Sequence, residues 1–173
     1  MKITIKSTAL LGLGALCIAS LVINEVQYRQ NENIKDTSLE YGFALAFSGI
    51  NTANSIFKGQ LPGQDTTDAV RYIARSAGQL ESMSRVMNEM GIEHTAGIGV
   101  RLEESAEIIS KPTKYSKEQV AQNKKFVEEV STDFRPCFDG PILVKSRLPA
   151  AISKVYKAIS AISPKERSQL YSM

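Results

Sequence analysis

Histidine and tryptophan are almost missing from this chain of 173 residues, which has one histidine, His94, and no tryptophan. A zinc site built from several histidines is therefore excluded. A serine or cysteine nucleophile would have only His94 as a histidine base, and neither a GxSxG elbow nor a phosphate-binding glycine loop occurs. The sequence predicts no cofactor and no metal, and of all function classes it gives an enzyme the least support.

Cysteine is also scarce, with Cys17 near the amino terminus and Cys137 far from it. If the amino-terminal segment stays in a membrane, Cys137 has no second cysteine with which to form an intramolecular disulfide. We expect an inert buried thiol. A disulfide-linked dimer and a reactive nucleophile are the alternatives.

A large excess of one charge is absent, because 21 basic residues face 18 acidic ones for a net charge of +3. The distribution is nevertheless uneven: residues 31–110 hold 6 basic and 11 acidic residues, whereas residues 111–173 hold 12 and 6. The basic carboxyl-terminal half indicates either simple internal neutralisation or a face for an anionic surface. Nucleic acid is not an expected partner, because the aromatic and glycine pattern of a nucleic-acid reader is missing.

The longest uncharged run covers residues 7–23 and follows two cations, Lys2 and Lys6. Its 17 residues would form a helix about 25 Å long, which suffices for a thin bilayer. We predict an uncleaved transmembrane signal-anchor over 7–23. A cleaved signal peptide, with secretion of the remainder, is one alternative, and a buried helix of a soluble fold is another.

The charge flanks predict the orientation of this segment. Residues 1–6 carry cations and no acid, so we expect them to stay in the cytoplasm, with a single pass through the cytoplasmic (inner) membrane of a bacterium. Residues 24–38 are then a stalk or the start of a first long helix. Residues 39–173 would form an extracytoplasmic helical bundle.

Helical periodicity dominates those exported residues. Apolar side chains recur every three or four positions in five segments, and the clearest stripes begin at Leu39 and Leu148. Helix starts are predicted at Asp65 and at Ser116, where Gln119 completes a capping-box spacing. The expected fold class is all-α: a single amino-terminal transmembrane helix followed by an antiparallel helical bundle of about four to five helices.

Glycine inside the predicted helices needs its own explanation. Gly42 and Gly49 lie seven residues apart in the first helix, where each costs about 1 kcal/mol relative to alanine. Close approach of a neighbouring helix would compensate for this cost. A locally weak helix is the alternative.

Two sets of residues are candidate interaction sites. The stretch 135–147 holds two prolines and one glycine, so it is either a loop over the bundle or a partner-docking element. A methionine-rich stripe is either core filling or a ligand groove between the second and third helices. The docking residues would be Phe138, Ile142 and Leu143, and the groove residues Met83, Met87, Met90 and Ile98.

The function expected from these features is protein–protein interaction by a membrane-anchored, extracytoplasmic helical bundle, as an accessory, assembly or inhibitory subunit. The partner would be a protein, and the membrane would be held through the amino-terminal helix. An extracytoplasmic ligand-binding or sensing module that uses the inter-helix groove is the alternative.

Overall fold

The computed structural model describes residues 3–161, with side chains from residue 18 to residue 160. Within that part the chain forms five α-helices and one short β-hairpin, which confirms the predicted all-α class. The helices are α1 (Ile3–Phe57), α2 (Thr66–Glu89), α3 (Thr95–Ser110), α4 (Lys117–Phe134) and α5 (Leu148–Ala161), and the strands are β1 (Phe138–Asp139) and β2 (Ile142–Leu143).

The chain divides into two compact units, Met1–Ser38 and Leu39–Met173. In the first unit the helix runs through residues 24–38 without a break, and Arg29 donates to Glu25 at 2.7 Å one turn away. Among the residues whose side chains are described, no helix has a segment long and apolar enough to cross a membrane. Residues 7–17, which are most of the predicted signal-anchor, lie outside the part of the chain whose side chains are described.

The core of the second unit confirms the apolar stripe predicted from Leu39 onward. Leu39, Phe43, Ala46, Ile50 and Ala53 of α1 are completely buried. Each of the four other helices adds its own apolar face, and burial of one large side chain stabilises a fold by about 1.5–3 kcal/mol. The largest fully buried side chains from those helices are Phe134, Ile73, Leu80, Met87, Ile98, Leu102, Ile109, Leu148 and Ile152.

Helix starts are capped as the sequence predicts. The Asp65 carboxylate accepts hydrogen bonds from the backbone N–H of Thr67 at 2.7 Å and of Asp68 at 3.1 Å. These donors hold the pKa of the Asp65 carboxyl below its ordinary value, so a negative charge stays at the positive end of α2. At α4, Ser116 and Gln119 form the reciprocal capping box, with distances of 3.2 and 2.9 Å.

Close contacts at glycines confirm that neighbouring helices approach α1. A Cβ atom added at Gly42 would overlap Met83 Sδ, and one added at Gly49 would overlap Ser76 Oγ. The contacted residue number in α2 falls as the number in α1 rises, so the two helices are antiparallel. At Gly99 of α3 an added Cβ would lie 3.0 Å from the backbone oxygen of Ala77 in α2.

Helix α3 begins at Thr95, directly after a residue with an unusual backbone. His94 adopts φ +74°, a left-handed backbone that few residues other than glycine accept. Its ring stacks on that of Tyr156 in α5, with centroids 4.0 Å apart and planes 4° from parallel. This contact compensates for the unfavourable backbone and fixes the start of α3 against α5.

Polar side chains connect α4 to its neighbours. Arg101 of α3 donates to Asn123 Oδ1 at 2.8 Å and lies 4.9 Å over the ring of Phe126. On the other side, Asn51 Oδ1 of α1 accepts from Ser131 at 3.2 Å and from Arg135 at 2.8 Å. Helix α4 is therefore held between α1 and α3 by directional contacts as well as by apolar packing.

Candidate interaction site

The stretch 135–147 is an ordered hairpin flanked by two turns of 3₁₀ helix. Strands β1 and β2 pair antiparallel, with Phe138 opposite Leu143 and Asp139 opposite Ile142. The loop between them is only Gly140 and Pro141. Gly140 has φ +59°, and a first loop residue with positive φ is what a tight two-residue hairpin of this kind requires.

Four phenylalanine rings tie the hairpin to the core. Phe134 contacts Phe43 at a centroid distance of 5.0 Å, Phe43 lies 5.9 Å from Phe138, and Phe138 stacks on Phe47 at 4.7 Å. We call this series the aromatic column. It runs from two completely buried rings to two half-buried ones, so it fixes the hairpin from the inside of the protein outward.

Hydrogen bonds and one ion pair fix the base of the hairpin. The N–H of Val144 donates to the Cys137 carbonyl at 2.7 Å, and the Arg147 guanidinium donates to the Pro136 carbonyl at 2.8 Å. Lys145 lies 3.1 Å from Glu40 of α1. The hairpin is therefore attached to α1, to the end of α4 and to the start of α5.

The three predicted docking residues have different positions. Phe138 belongs to the aromatic column and is half-buried, and Leu143 is buried, so both contribute to the fold. Ile142 is 68% exposed at the loop. The difference follows from the alternation of side chains along a strand, because adjacent residues point to opposite faces. Of the three side chains, Ile142 is the most available to a partner.

Charged side chains surround the hairpin. Arg135 and Arg147 are exposed at its base, and Asp139 is exposed on β1. Lys145 is half-buried in its pair with Glu40. Ile142 therefore has Asp139 as its cross-strand neighbour, and the exposed arginines lie at the base of the hairpin.

Cys137 lies at the base of the same hairpin and is completely buried. Burial raises the pKa of its thiol, and the nearby charge of Arg147 offsets only part of that rise. The thiol is protonated at neutral pH and has no access to solvent, which favours the inert interpretation over a nucleophile or an intermolecular disulfide.

The methionine-rich set is a packed helix interface instead of an open groove. Met83, Met87 and Ile98 are buried, because α2 fits against the glycines of α1 and against the first turns of α3. Thr95 Oγ1 donates to Met87 Sδ at 3.0 Å. Met90, at the end of α2, is 39% exposed. Three of the four side chains therefore have no surface for a ligand.

An open groove also lies between α2 and α3, on the carboxyl-terminal side of Gly99 in α3. The sequence did not predict this groove. Its volume is about 470 Å³. Its apolar positions on both helices and its acidic positions on α3 are visible in the sequence, but periodicity alone does not separate an exposed apolar position from a buried one. The lining residues are Val70, Ala74, Val100, Glu103, Glu104, Ala106, Glu107, Ser110 and Lys111.

Metal-ligand types do not cluster in the part of the chain that the structure describes. No group of three or more histidine, cysteine or acidic side chains there could hold a metal ion. Nor does any buried side-chain nitrogen or oxygen among those residues lack a hydrogen-bond partner. No protein-family model, curated protein or solved structure matches the sequence. The surfaces themselves must therefore carry the functional argument.

Proposed function

We propose that this chain is a membrane-anchored helical-bundle protein that acts by protein–protein contact, as an accessory, assembly or inhibitory subunit outside the cytoplasmic membrane. The β-hairpin would be the docking element. The observation that carries the proposal is the exposed Ile142 on a hairpin whose other apolar residues, Phe138 and Leu143, are held by the fold.

The anchor is supported by the sequence of residues 7–23, which is uncharged, mostly apolar and preceded by Lys2 and Lys6. Cations flanking an apolar segment favour the cytoplasmic side, whereas this segment is followed directly by Asn24 and Glu25. Residues 25 onward would then lie outside the cytoplasm.

A topology experiment tests the anchor. A reporter that is active only in the cytosol, fused to the carboxyl end of the full chain, is expected to be inactive, because the positive flank keeps only the amino terminus inside. The same reporter fused to the amino terminus should be fully active. Full activity from the carboxyl-terminal fusion would contradict the proposed membrane orientation.

Docking is supported by the rigidity of the hairpin as well as by its exposed isoleucine. A side chain held on a fixed scaffold loses little conformational freedom when it binds, so more of its burial energy contributes to affinity. Burial of one isoleucine is worth about 1.5–3 kcal/mol, which corresponds to a factor of about 10–150 in affinity.

The charges near Ile142 define the chemistry of the partner. Arg135 and Arg147 are exposed beside the hairpin, and an interface is more specific when opposite charges meet at its edge. We therefore expect a protein with an apolar pocket for Ile142, a cation or hydrogen-bond donor that meets Asp139 beside it, and acidic side chains that reach the base of the hairpin.

Photo-crosslinking in the native host tests the docking element. Replacing Ile142 by a photoreactive phenylalanine analogue in the full chain is expected to give one discrete adduct, whose partner mass spectrometry identifies. Tyr41 is the matched control position, because it is also 68% exposed but lies on α1. With the photoreactive residue at position 146 instead, the otherwise unchanged chain should also give the adduct. The same chain carrying Ile142→Asp in addition should lose it.

The crosslinking pattern can also contradict the proposal. Equal adducts from positions 142 and 41 would mean unspecific proximity instead of docking. Absence of any adduct at position 142, in a chain whose circular dichroism is unchanged, would contradict the hairpin as a docking element.

A further inference from the structure

The groove between α2 and α3 combines an exposed apolar floor with charge of one sign. Val70 and Ala74 of α2 line one side, and Val100 of α3, which is 49% exposed, lines the other. Exposed single apolar residues are ordinary on protein surfaces, but several that line one concave site favour binding.

The charged groups of the groove come from α3 and from Lys111, the residue that follows it. Glu103, Glu104 and Glu107 contribute three carboxylates, against one ammonium group from Lys111. Lys111 is 2.8 Å from Glu107, and Arg101 lies 3.8 Å from Glu104. Glu103 forms no ion pair with any residue that the structure describes. The groove therefore has a net negative charge that the rest of the described chain compensates only in part.

We propose that this groove binds a cationic amphipathic helix from a partner protein. The apolar side of the helix would cover Val70, Ala74 and Val100, and its lysines or arginines would pair with Glu103 and share the Glu107 carboxylate with Lys111. This site is separate from the hairpin, so it does not depend on the docking of Ile142.

The shape of the groove favours a helix over a small molecule. The lining residues of α3 extend from Val100 to Ser110, which is about 15 Å or just under three helical turns. Sites for small ligands usually enclose most of the ligand, whereas an open groove between two helices covers one side of its occupant. Helix-in-groove binding has that geometry, with anchor residues spaced by three, four and seven positions.

The carboxylates also have the spacing that a helix can match. Glu103 and Glu107 are four residues apart on α3, so their side chains lie on the same face one turn apart. Two cations placed four residues apart on a partner helix that lies alongside α3 would meet both carboxylates.

A peptide-binding experiment tests the proposal with the full chain in a nonionic detergent. The probe is a fluorescein-labelled 18-residue peptide with leucines on one helical face and lysines beside them, and the readout is fluorescence anisotropy against protein-free detergent. We expect Glu103→Gln with Glu107→Gln to weaken binding about tenfold. Ala74→Arg, which fills the floor and adds a positive charge, should weaken it by at least the same factor.

Matched variants on α4 provide the controls. Glu128→Gln with Glu129→Gln removes the same charge from α4, and Ala121→Arg makes the same exposed substitution outside the groove. Both should change the affinity less than twofold. A peptide of the same composition with scrambled order should bind at least tenfold more weakly.

Several outcomes would overturn this assignment. Equal weakening of peptide binding by the α4 variants would mean that general electrostatics causes the loss of affinity. No binding of the amphipathic peptide at 1 mM would contradict the proposed site. Tighter binding of octyltrimethylammonium than of the peptide would assign the groove to a small cation. Self-association of the wild-type chain that Ala74→Arg abolishes would assign it to a second copy.

Discussion

Replacing Phe43 by alanine is expected to lower the free energy of unfolding by about 3–5 kcal/mol, the usual range for loss of a fully buried aromatic side chain. Phe43 occupies the middle of the aromatic column, in contact with both Phe134 and Phe138. The substitution therefore leaves a cavity and removes two ring contacts, one of which fixes the hairpin.

Urea unfolding followed by circular dichroism measures this effect. Tyr41→Ala is the matched control, because it removes an aromatic ring from an exposed position of the same helix. It should change the free energy of unfolding by no more than about 0.5 kcal/mol. A loss below about 1 kcal/mol for Phe43→Ala would contradict the burial of the column.

The second large effect is a contrast between two positions at which glycine is replaced by alanine. The two replacements are expected to change the free energy of unfolding in opposite directions. Gly49→Ala is expected to lower the free energy of unfolding by about 1–3 kcal/mol, because its new methyl group overlaps the Ser76 hydroxyl and lies 3.2 Å from the Tyr72 carbonyl. Ser76 cannot easily give way, since it donates to that carbonyl at 2.8 Å.

Gly78→Ala should instead raise the free energy of unfolding by about 0.5–1 kcal/mol. Gly78 is exposed inside α2 and an added Cβ would meet nothing within 4 Å, so only the gain in helix propensity remains. Thermal and urea unfolding of both variants measure the contrast. Stabilisation by Gly49→Ala would mean that α1 and α2 do not pack at this point.

The helices and their starts could be predicted because the signals are local. A stripe such as Leu39, Phe43 and Ala46 shows its buried face by spacing alone, and a cap such as Ser116 needs only a residue three positions away. Gly42 and Gly49 also indicated close packing correctly, although the sequence did not identify the neighbour as α2.

The candidate sites were less predictable because they depend on distant neighbours. Phe138 and Ile142 look equally suited to docking until Phe43 and Phe47, far away in the sequence, bury one and leave the other exposed. Likewise, nothing adjacent in sequence indicates that Met87 packs inside the core whereas Val100 faces solvent.

The contact of α1 with α4 has a consequence for how the chain folds during synthesis. Asn51 finds its hydrogen-bond partners Ser131 and Arg135 only 80 and 84 residues later. At a translation rate of about 5–20 residues per second, those partners emerge about 4–16 s after Asn51. Contacts this far apart in sequence also slow folding, because a long loop must close first. The nascent first half therefore spends several seconds without the partners that hold α1 at Asn51.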